Sequence, residues 1–276
     1  MTDRRLIACN GRVATIDLIG KVRADKFIEG CGARISSPVV DLRDAPNGKR
    51  KRQLLHGETI KIYDEISNSF FVQADKDRYV GYVTRAAVTQ SLNEPSHIVI
   101  SPLCHAYPNP YIKSEPLLQL TMGAKVMVVN ERDGFYQTEA GWVSKQSVSL
   151  IPSTFTDTVS VAEILVQTPY LWGGNSALGI DCSGLVQLSC ALCQIACPAD
   201  SDLQAQSIGK VLGPKDSLKR GDLVFWKGHV AWVSAPDTIF HANAFHMASV
   251  WENLDAAILR ISAQGGGMPT LYRRLD

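Results

Sequence analysis

The chain has 276 residues, 45% of them hydrophobic and 20% charged, with a formal net charge of +1. That length and apolar content suit about two cored domains and exclude a disordered or fibrous chain. The near-zero charge argues against nucleic acid or an anionic membrane surface as a dominant partner, because such binding shows as a basic excess. Seven cysteines are an odd number without framework spacing. At least one thiol therefore stays unpaired, which suits a reducing compartment.

At the N-terminus, Arg4 and Arg5 precede a stretch broken by Asn10, Gly11, Arg12 and Asp17, so no signal-peptide core is expected. No apolar run is long enough to span a bilayer. The expectation is a cytoplasmic protein. Residues 1–32 read as an N-terminal extension with a weakly helical stretch over 20–29 that ends at Gly30 and Gly32. From residue 33 the texture changes to short β-branched and aromatic runs separated by turn residues, which signals all-β modules. The basic run from Lys49 to Arg52 follows Pro46-Asn47-Gly48 and reads as a solvated hairpin tip.

Two β modules look like copies. Leu54-Leu55-His56-Gly57, Phe70-Phe71-Val72 and Gly81-Tyr82-Val83 are answered by Leu120-Thr121-Met122-Gly123, Phe135-Tyr136 and Gly141-Trp142-Val143. Two copies are too few for a propeller or a solenoid. Residues 33–91 and 92–151 are expected to form one module each, joined through the stretch from Ser91 to Ser96, and Pro152 opens a third domain over residues 152–276.

The third domain begins with a helical pattern at Val159, Ala162, Leu165 and Val166 that should end before Pro169. A glycine-punctuated loop from Tyr170 to Asp181 then runs into a helix, with Cys182 at the junction. Leu185, Leu188, Ser189, Leu192 and Ala196 form one face of that helix, and Cys182, Val186, Cys190, Cys193 and Cys197 the other. A helix apolar on both faces is buried. Strands follow around residues 223–226, 230–234 and 238–242, so the domain is α+β.

A thiol at a helix start faces unpaired backbone N–H groups and the positive end of the macrodipole, both of which favour thiolate. A cysteine nucleophile also needs a base and an orienting group, and His229 and His241 lie on the downstream strands. A lone histidine on an apolar strand is more often a hydrogen-bonded core residue; here the ordered cysteine and histidines favour base and orienter. Strand parity adds a condition. With a regular two-residue loop after Ala235, His241 would point away from His229, so a shared face demands an odd loop or a β-bulge near Pro236. Asn243, on the same strand face as His241, is the alternative orienter. Cys190-Ala191-Leu192-Cys193 has a metal-ligand spacing, but without a partner pair it reads as buried thiols of a core helix. His56, His97, His105 and His246 read as structural or surface residues.

Asp181-Cys182-Ser183-Gly184-Leu185-Val186, then Lys219 to Trp226, then Gly228-His229-Val230 and Phe240-His241-Ala242 resemble, in that order, the NlpC/P60 cysteine peptidases. The two β modules resemble bacterial SH3 barrels. The resemblance implies an α+β papain-like catalytic domain preceded by two SH3-like β-barrels. Within the family the chain is most similar to γ-D-glutamyl-diamino acid endopeptidases that cut murein peptides.

That resemblance implies a Cys182 thiolate paired with protonated His229, an orienting His241, and substrate contacts from Tyr170, Trp172, Asp181, Ser183, Asp200 and Ser201. Ala199 stands where the family usually has arginine. Tyr79 matches an aromatic position of the first barrel in enzymes that receive a free L-alanine amine, an ammonium here expected beside Asp181. No metal or organic cofactor is implied, and the expected partner is a murein peptide, not a nucleic acid or a membrane. Two other classes fit the same residues: a cysteine amidase or acyltransferase on this fold, which would need a broad apolar groove, and a non-catalytic wall-binding protein carried by the SH3 modules.

Overall fold

A computed structural model describes residues 3–91 and 93–275. Leu92 in the expected linker, and the chain-end residues 1, 2 and 276 that bound the first and last expected domains, lie outside the described residues. The chain divides into two compact units, residues 1–151 and 152–276.

In the N-terminal unit the repeat seen in the sequence is a repeat of topology. Strands Arg50–Leu55, Val39–Arg43, Val80–Thr84, Ser69–Ala74, Thr59–Ile66, Cys31–Ile35 and Val88–Thr89 are neighbours in one seven-stranded sheet, in that order. Residues 97–150 follow the same path. Leu118–Thr121, Leu103–Tyr107, Gly141–Ser144, Phe135–Thr138 and Val128–Arg132 make a five-stranded sheet, and Lys125–Val126, His97–Val99 and Val148–Leu150 make a three-stranded one. The second copy splits because its equivalent of the long Thr59–Ile66 strand is interrupted at Met127. Each copy ends in a 3₁₀ turn and a short strand; the second buries an apolar cluster with Val99, Leu120, Val126 and Val143 among its members, and in the first Leu42, Leu54, Ile60 and Val83 are buried.

Gly57 and Gly123 occupy the same turn with φ of 77° and 87°, left-handed backbone that favours glycine. The copies meet at the first of these turns. His56 Nδ1 lies 3.0 Å from the Lys125 carbonyl, and Lys125 N–H donates to the His56 carbonyl at 2.8 Å.

One expectation for this unit fails and one holds in part. Residues 20–29 form turns and then the strand Lys26–Ile28, parallel to Val13–Thr15. A ten-residue stretch is too short to be helical without an apolar face to dock, and here Ile28 packs beside Val13 and Tyr63. The basic run, at the hairpin between Val39–Arg43 and Arg50–Leu55, is solvated only in part: Lys49 and Lys51 are exposed, but Arg50 Nε lies 2.6 Å from Asp41 Oδ1 and Arg52 is only 2% exposed.

The C-terminal unit has four helices, α1 (Thr158–Glu163), α2 (Cys182–Leu192), α3 (Ser201–Ser207) and α4 (Leu254–Ala263). Its antiparallel sheet contains β1 (Lys210–Val211), β2 (Asp222–Trp226), β3 (His229–Ala235), β4 (Thr238–Asn243), β5 (Ala248–Asn253) and β6 (Leu271–Arg274), in the spatial order β1-β6-β2-β3-β4-β5. Helix α2 packs on β3 and β4, where Trp232 Nε1 donates to Ser189 Oγ at 3.1 Å. On the sheet, Val224, Ala231, Val233 and Ile239 bury themselves against Leu254 and Ala257 of α4. The sheet therefore carries apolar side chains on both faces, as the continuous hydrophobic runs of β2 and β3 require.

Helix α1 stops at Glu163, earlier than its apolar pattern, and its last turns unwind to a left-handed Gln167. Helix α2 likewise ends at Leu192, leaving Ala196 and Cys197 in the following loop and not on its faces.

Candidate active site

Asp181 starts α2. Its carboxylate accepts from Gly184 N–H at 2.7 Å, Ser183 Oγ at 3.0 Å and Gly173 N–H at 2.9 Å, which is the N-cap pattern extended back into the glycine loop. These contacts fix the carboxylate between the helix start and the glycine loop. The loop lies directly on the helix: a Cβ on Gly184 would sit 2.3 Å from the Gly174 carbonyl oxygen, so only glycine fits there. Cys182 occupies the first helical position and is 7% exposed.

Around this turn stand the other residues expected at the cleft. Tyr170 is half-buried, and burial together with the neighbouring Cys182 and Asp181 raises the pKa of its hydroxyl. Trp172 is 69% exposed. Asp200 is the N-cap residue of α3 and Ser201 its first residue. Gln204, one turn further on, is fully buried and its Nε2 donates to the carbonyls of Ser183 and Pro198, each at 3.0 Å. This amide ties the loop before α3 to the residue after Cys182. Tyr79 belongs to the N-terminal unit, where it precedes the strand Val80–Thr84 and is 4% exposed.

The two histidines meet. His229 Nε2 and His241 Nδ1 are 2.9 Å apart. The condition on strand parity is satisfied by a β-bulge: Ala235 pairs with Thr238 across the two-residue loop, but Trp232 pairs with Phe240, leaving Ser234 as the extra residue. Continuing the second register puts Ala231 opposite His241, so His229, two residues away, shares its face. His229 opens β3 after the Lys227-Gly228 turn, and its ring stacks obliquely on Trp226, with centroids 5.6 Å apart.

Burial first, then the neighbouring His241 and the Arg260 charge, push the His229 pKa down to about 3. Burial and the neighbouring His241 and Arg260 charges thus favour the neutral imidazole over the expected imidazolium partner. A neutral base can take the thiol proton as attack proceeds, where a preformed ion pair would already hold it.

Beyond His241 the contacts continue through two residues that the sequence did not single out. His241 Nε2 lies 3.1 Å from Glu252 Oε2, and Arg260 grips that carboxylate in a fork, Nε to Oε1 at 2.8 Å and Nη2 to Oε2 at 2.6 Å. His241 pairs with Val250 across β4 and β5, so Glu252 stands on the same face one step along. Asn243 does not take the orienting role: its Oδ1 accepts from His246 N–H at 2.8 Å and closes the turn after β4.

His241, His246 and Glu252 bring three metal-ligand atoms within 4.8 Å of one another. Those atoms are engaged, Glu252 by Arg260 and His241, and His246 by Asn243. The cysteines of α2 and its following loop behave as core thiols. None of the seven is disulfide-bonded, and Cys190 is held well above the usual thiol range by its hydrogen bond with Cys197 and by burial.

A cysteine at a capped helix start, laid against strands that carry a histidine pair, is the architecture of the papain-like cysteine hydrolases. The comparisons narrow the class. Residues 167–255 match the NlpC/P60 family and residues 42–88 the bacterial dipeptidyl-peptidase SH3 domain, so the chain carries an NlpC/P60 peptidase domain and an SH3 domain and is an enzyme that hydrolyses peptide bonds.

The chain is 25% identical to dipeptidyl-peptidase 6 of Lysinibacillus sphaericus over 219 residues, covering 69% of this chain and 79% of that protein. It is 24% identical to a γ-D-glutamyl-L-lysine dipeptidyl-peptidase of Bacillus cereus over 226 residues, covering 70% and 67% respectively. A crystal structure of an NlpC/P60 family protein from Bacillus cereus superposes with a TM-score of 0.73 at 19% identity, covering 88% of this chain and 99% of that one. That superposition extends the likeness in fold across both units. A peptidase domain over residues 167–255 supports an enzyme that hydrolyses peptide bonds over the non-catalytic wall-binding reading.

Proposed function

We propose that this chain is a cysteine endopeptidase that cleaves the bond between γ-D-glutamate and the diamino acid of murein peptides bearing a free N-terminal L-alanine. The 2.9 Å contact between His229 and His241, on strands packed against the helix that Cys182 begins, carries the reading. Relatives named for γ-D-glutamyl-L-lysine cleavage support the bond type.

Cys182 Sγ attacks the γ-carbonyl of D-glutamate while His229, a free base at neutral pH, accepts the thiol proton. The backbone N–H of Cys182 and the positive end of α2 stabilise the tetrahedral oxyanion. His229 then protonates the leaving amine and later draws a proton from the water that hydrolyses the thioester. His241 holds the His229 ring throughout. Tyr170, Trp172, Ser183, Asp200 and Ser201 contact the peptide, and the Asp181 carboxylate receives the L-alanine ammonium.

The N-terminal unit enters this proposal as two SH3-like modules, residues 33–91 and 92–151, in the first of which Tyr79 is a buried aromatic. Seven thiols, none of them disulfide-bonded, fit a cytoplasmic enzyme acting on released peptides. Incubation with L-Ala-γ-D-Glu-diaminopimelate followed by mass spectrometry tests the reading. Release of L-Ala-D-Glu and free diaminopimelate is expected from the native chain and not from Cys182→Ala. An intact peptide, or turnover of long-chain amides in its place, would transfer the site to an amidase or acyltransferase.

A further inference from the structure

We propose that Glu252, locked by Arg260, is a positioning residue that sets the tautomers of both histidines and so leaves the lone pair of His229 on Nδ1. The argument rests on the reading of His229 as base, and it follows the contacts inward from the carboxylate.

Arg260 engages both oxygens of Glu252, and its guanidinium is itself held 4.6 Å over the Phe245 ring. Glu252 lies at the end of β5 immediately before Asn253, the cap of α4, and Arg260 stands two turns into that helix. The pair is therefore fixed by the junction of a strand and a helix. Although burial opposes ionisation, the hydrogen bonds from Arg260 and His241 hold the Glu252 pKa down to about 2. An ionised carboxylate only accepts. His241 Nε2, 3.1 Å away, must then carry hydrogen.

A neutral imidazole has a single N–H, so His241 Nδ1 is left as an acceptor. His229 Nε2 faces it at 2.9 Å and must donate. The hydrogen of His229 is thereby placed on Nε2 and the basic lone pair on Nδ1. Reversing the first contact reverses the last: if His241 carried hydrogen on Nδ1, it would donate to His229 Nε2 and force the His229 hydrogen onto Nδ1, where it could accept no proton from a thiol. When His229 becomes imidazolium during turnover, its Nε2–H strengthens the same contact and the Glu252 charge opposes the new positive one.

The experiment reads tautomers directly. Nitrogen NMR of the full chain labelled with ¹⁵N-histidine, at neutral pH, should show His229 and His241 both with protonated Nε2 and unprotonated Nδ1. A wild-type spectrum with the His229 proton on Nδ1 overturns the proposal without any variant. In Glu252→Gln the amide can donate or accept, so the His241 pattern should become mixed, kcat should fall on the order of 10² or more, and KM should hold within about twofold. Glu252→Asp, which keeps an acceptor-only group, should restore the native nitrogen pattern. Native tautomers in Glu252→Gln, or a loss confined to KM, would also overturn it. The spectrum is independent of turnover, so it stands even where Cys182→Ala shows that another residue is the nucleophile.

Discussion

The hydroxyl of Ser234 donates to Glu163 Oε1 at 2.6 Å, so a side chain of α1 holds the bulged residue of β3. Glu163 also accepts from Trp251 Nε1 at 3.0 Å and pairs with Arg220 at 2.9 Å, which binds the bulge to both α1 and β5. Glu163→Ala removes the acceptor of Ser234 Oγ and Trp251 Nε1 and one of several acceptors of Arg220, which keeps Asp157 and Ser160, and should lower the free energy of urea unfolding by about 1–2 kcal/mol. Deleting Ser234 removes the extra residue and should turn His241 away from His229. Hydrolysis should then vanish while the far-ultraviolet circular dichroism of the sheet persists. A fully active deletion would show that parity is not what joins the histidines.

Iodoacetamide should inactivate the enzyme in step with modification of Cys182. Exposed Cys31 will also react, but without effect on turnover. Cys104, Cys190 and Cys193 should lag, because burial raises their thiol pKa values, that of Cys193 to about 11, and Cys190 is raised further by its bond to Cys197. Peptide mapping against residual activity distinguishes the sites. Full activity in Cys182→Ala would refute the nucleophile.

Removing the base disables the nucleophile, whereas removing the orienter leaves a misaligned pair. His229→Ala should therefore lose more kcat than His241→Ala, and Asn243→Ala less than either, since the Asn243 amide serves the turn at His246. The reverse order for Asn243 and His241 would restore the amide as orienter.

The same burial that keeps His229 neutral makes the fold sensitive to acid. With a native pKa near 3 against an ordinary value of 6.5, the unfolded chain holds a proton that the native one lacks between those limits. Stability should rise with pH across that window and fall as the medium is acidified from 6.5 towards 3. His241 is also depressed and acts in the same direction. Glu252, depressed from 4.5 to about 2, adds a loss between those values. Urea midpoints at pH 7 and pH 4.5 should differ less in His229→Asn than in the native chain; an equal difference would contradict the assignment.

A blocked amine should be rejected. On the proposed role of Asp181 the ammonium makes a charge-assisted hydrogen bond to its carboxylate, and an N-acetyl group carries no charge to do so. Free and N-acetylated L-Ala-γ-D-Glu-diaminopimelate should differ in kcat/KM by at least about tenfold, the equivalent of one charge-assisted hydrogen bond. Comparable values would remove Asp181 from recognition of the amine.

The glycine loop before Cys182, the two histidines, the need for an odd loop or a bulge between them and the repeat were legible in the chain because each leaves a local mark: a glycine spacing, a strand parity, a recurring turn. Glu252 and Arg260 leave none. A charge near the end of a strand and another two turns into a helix look like ordinary surface residues, and only the pairing of β4 with β5 brings them behind His241. Gln204 was similarly invisible, since its use depends on how α3 folds back on Ser183. The helix expected over residues 20–29 failed for the converse reason, a local propensity overridden by a parallel pairing to Val13–Thr15.

The close contact of Gly174 and Gly184 separates what the loop holds from what it displays. The seat of the thiol is a main-chain joint, indifferent to the side chains carried outward, and Trp172 and Leu178 stand 69% and 54% exposed on the same loop. Frame and rim can therefore change independently. Exchange of the outward residues is a route to new peptide preferences that leaves the reacting centre in place, while the two glycines admit no drift at all.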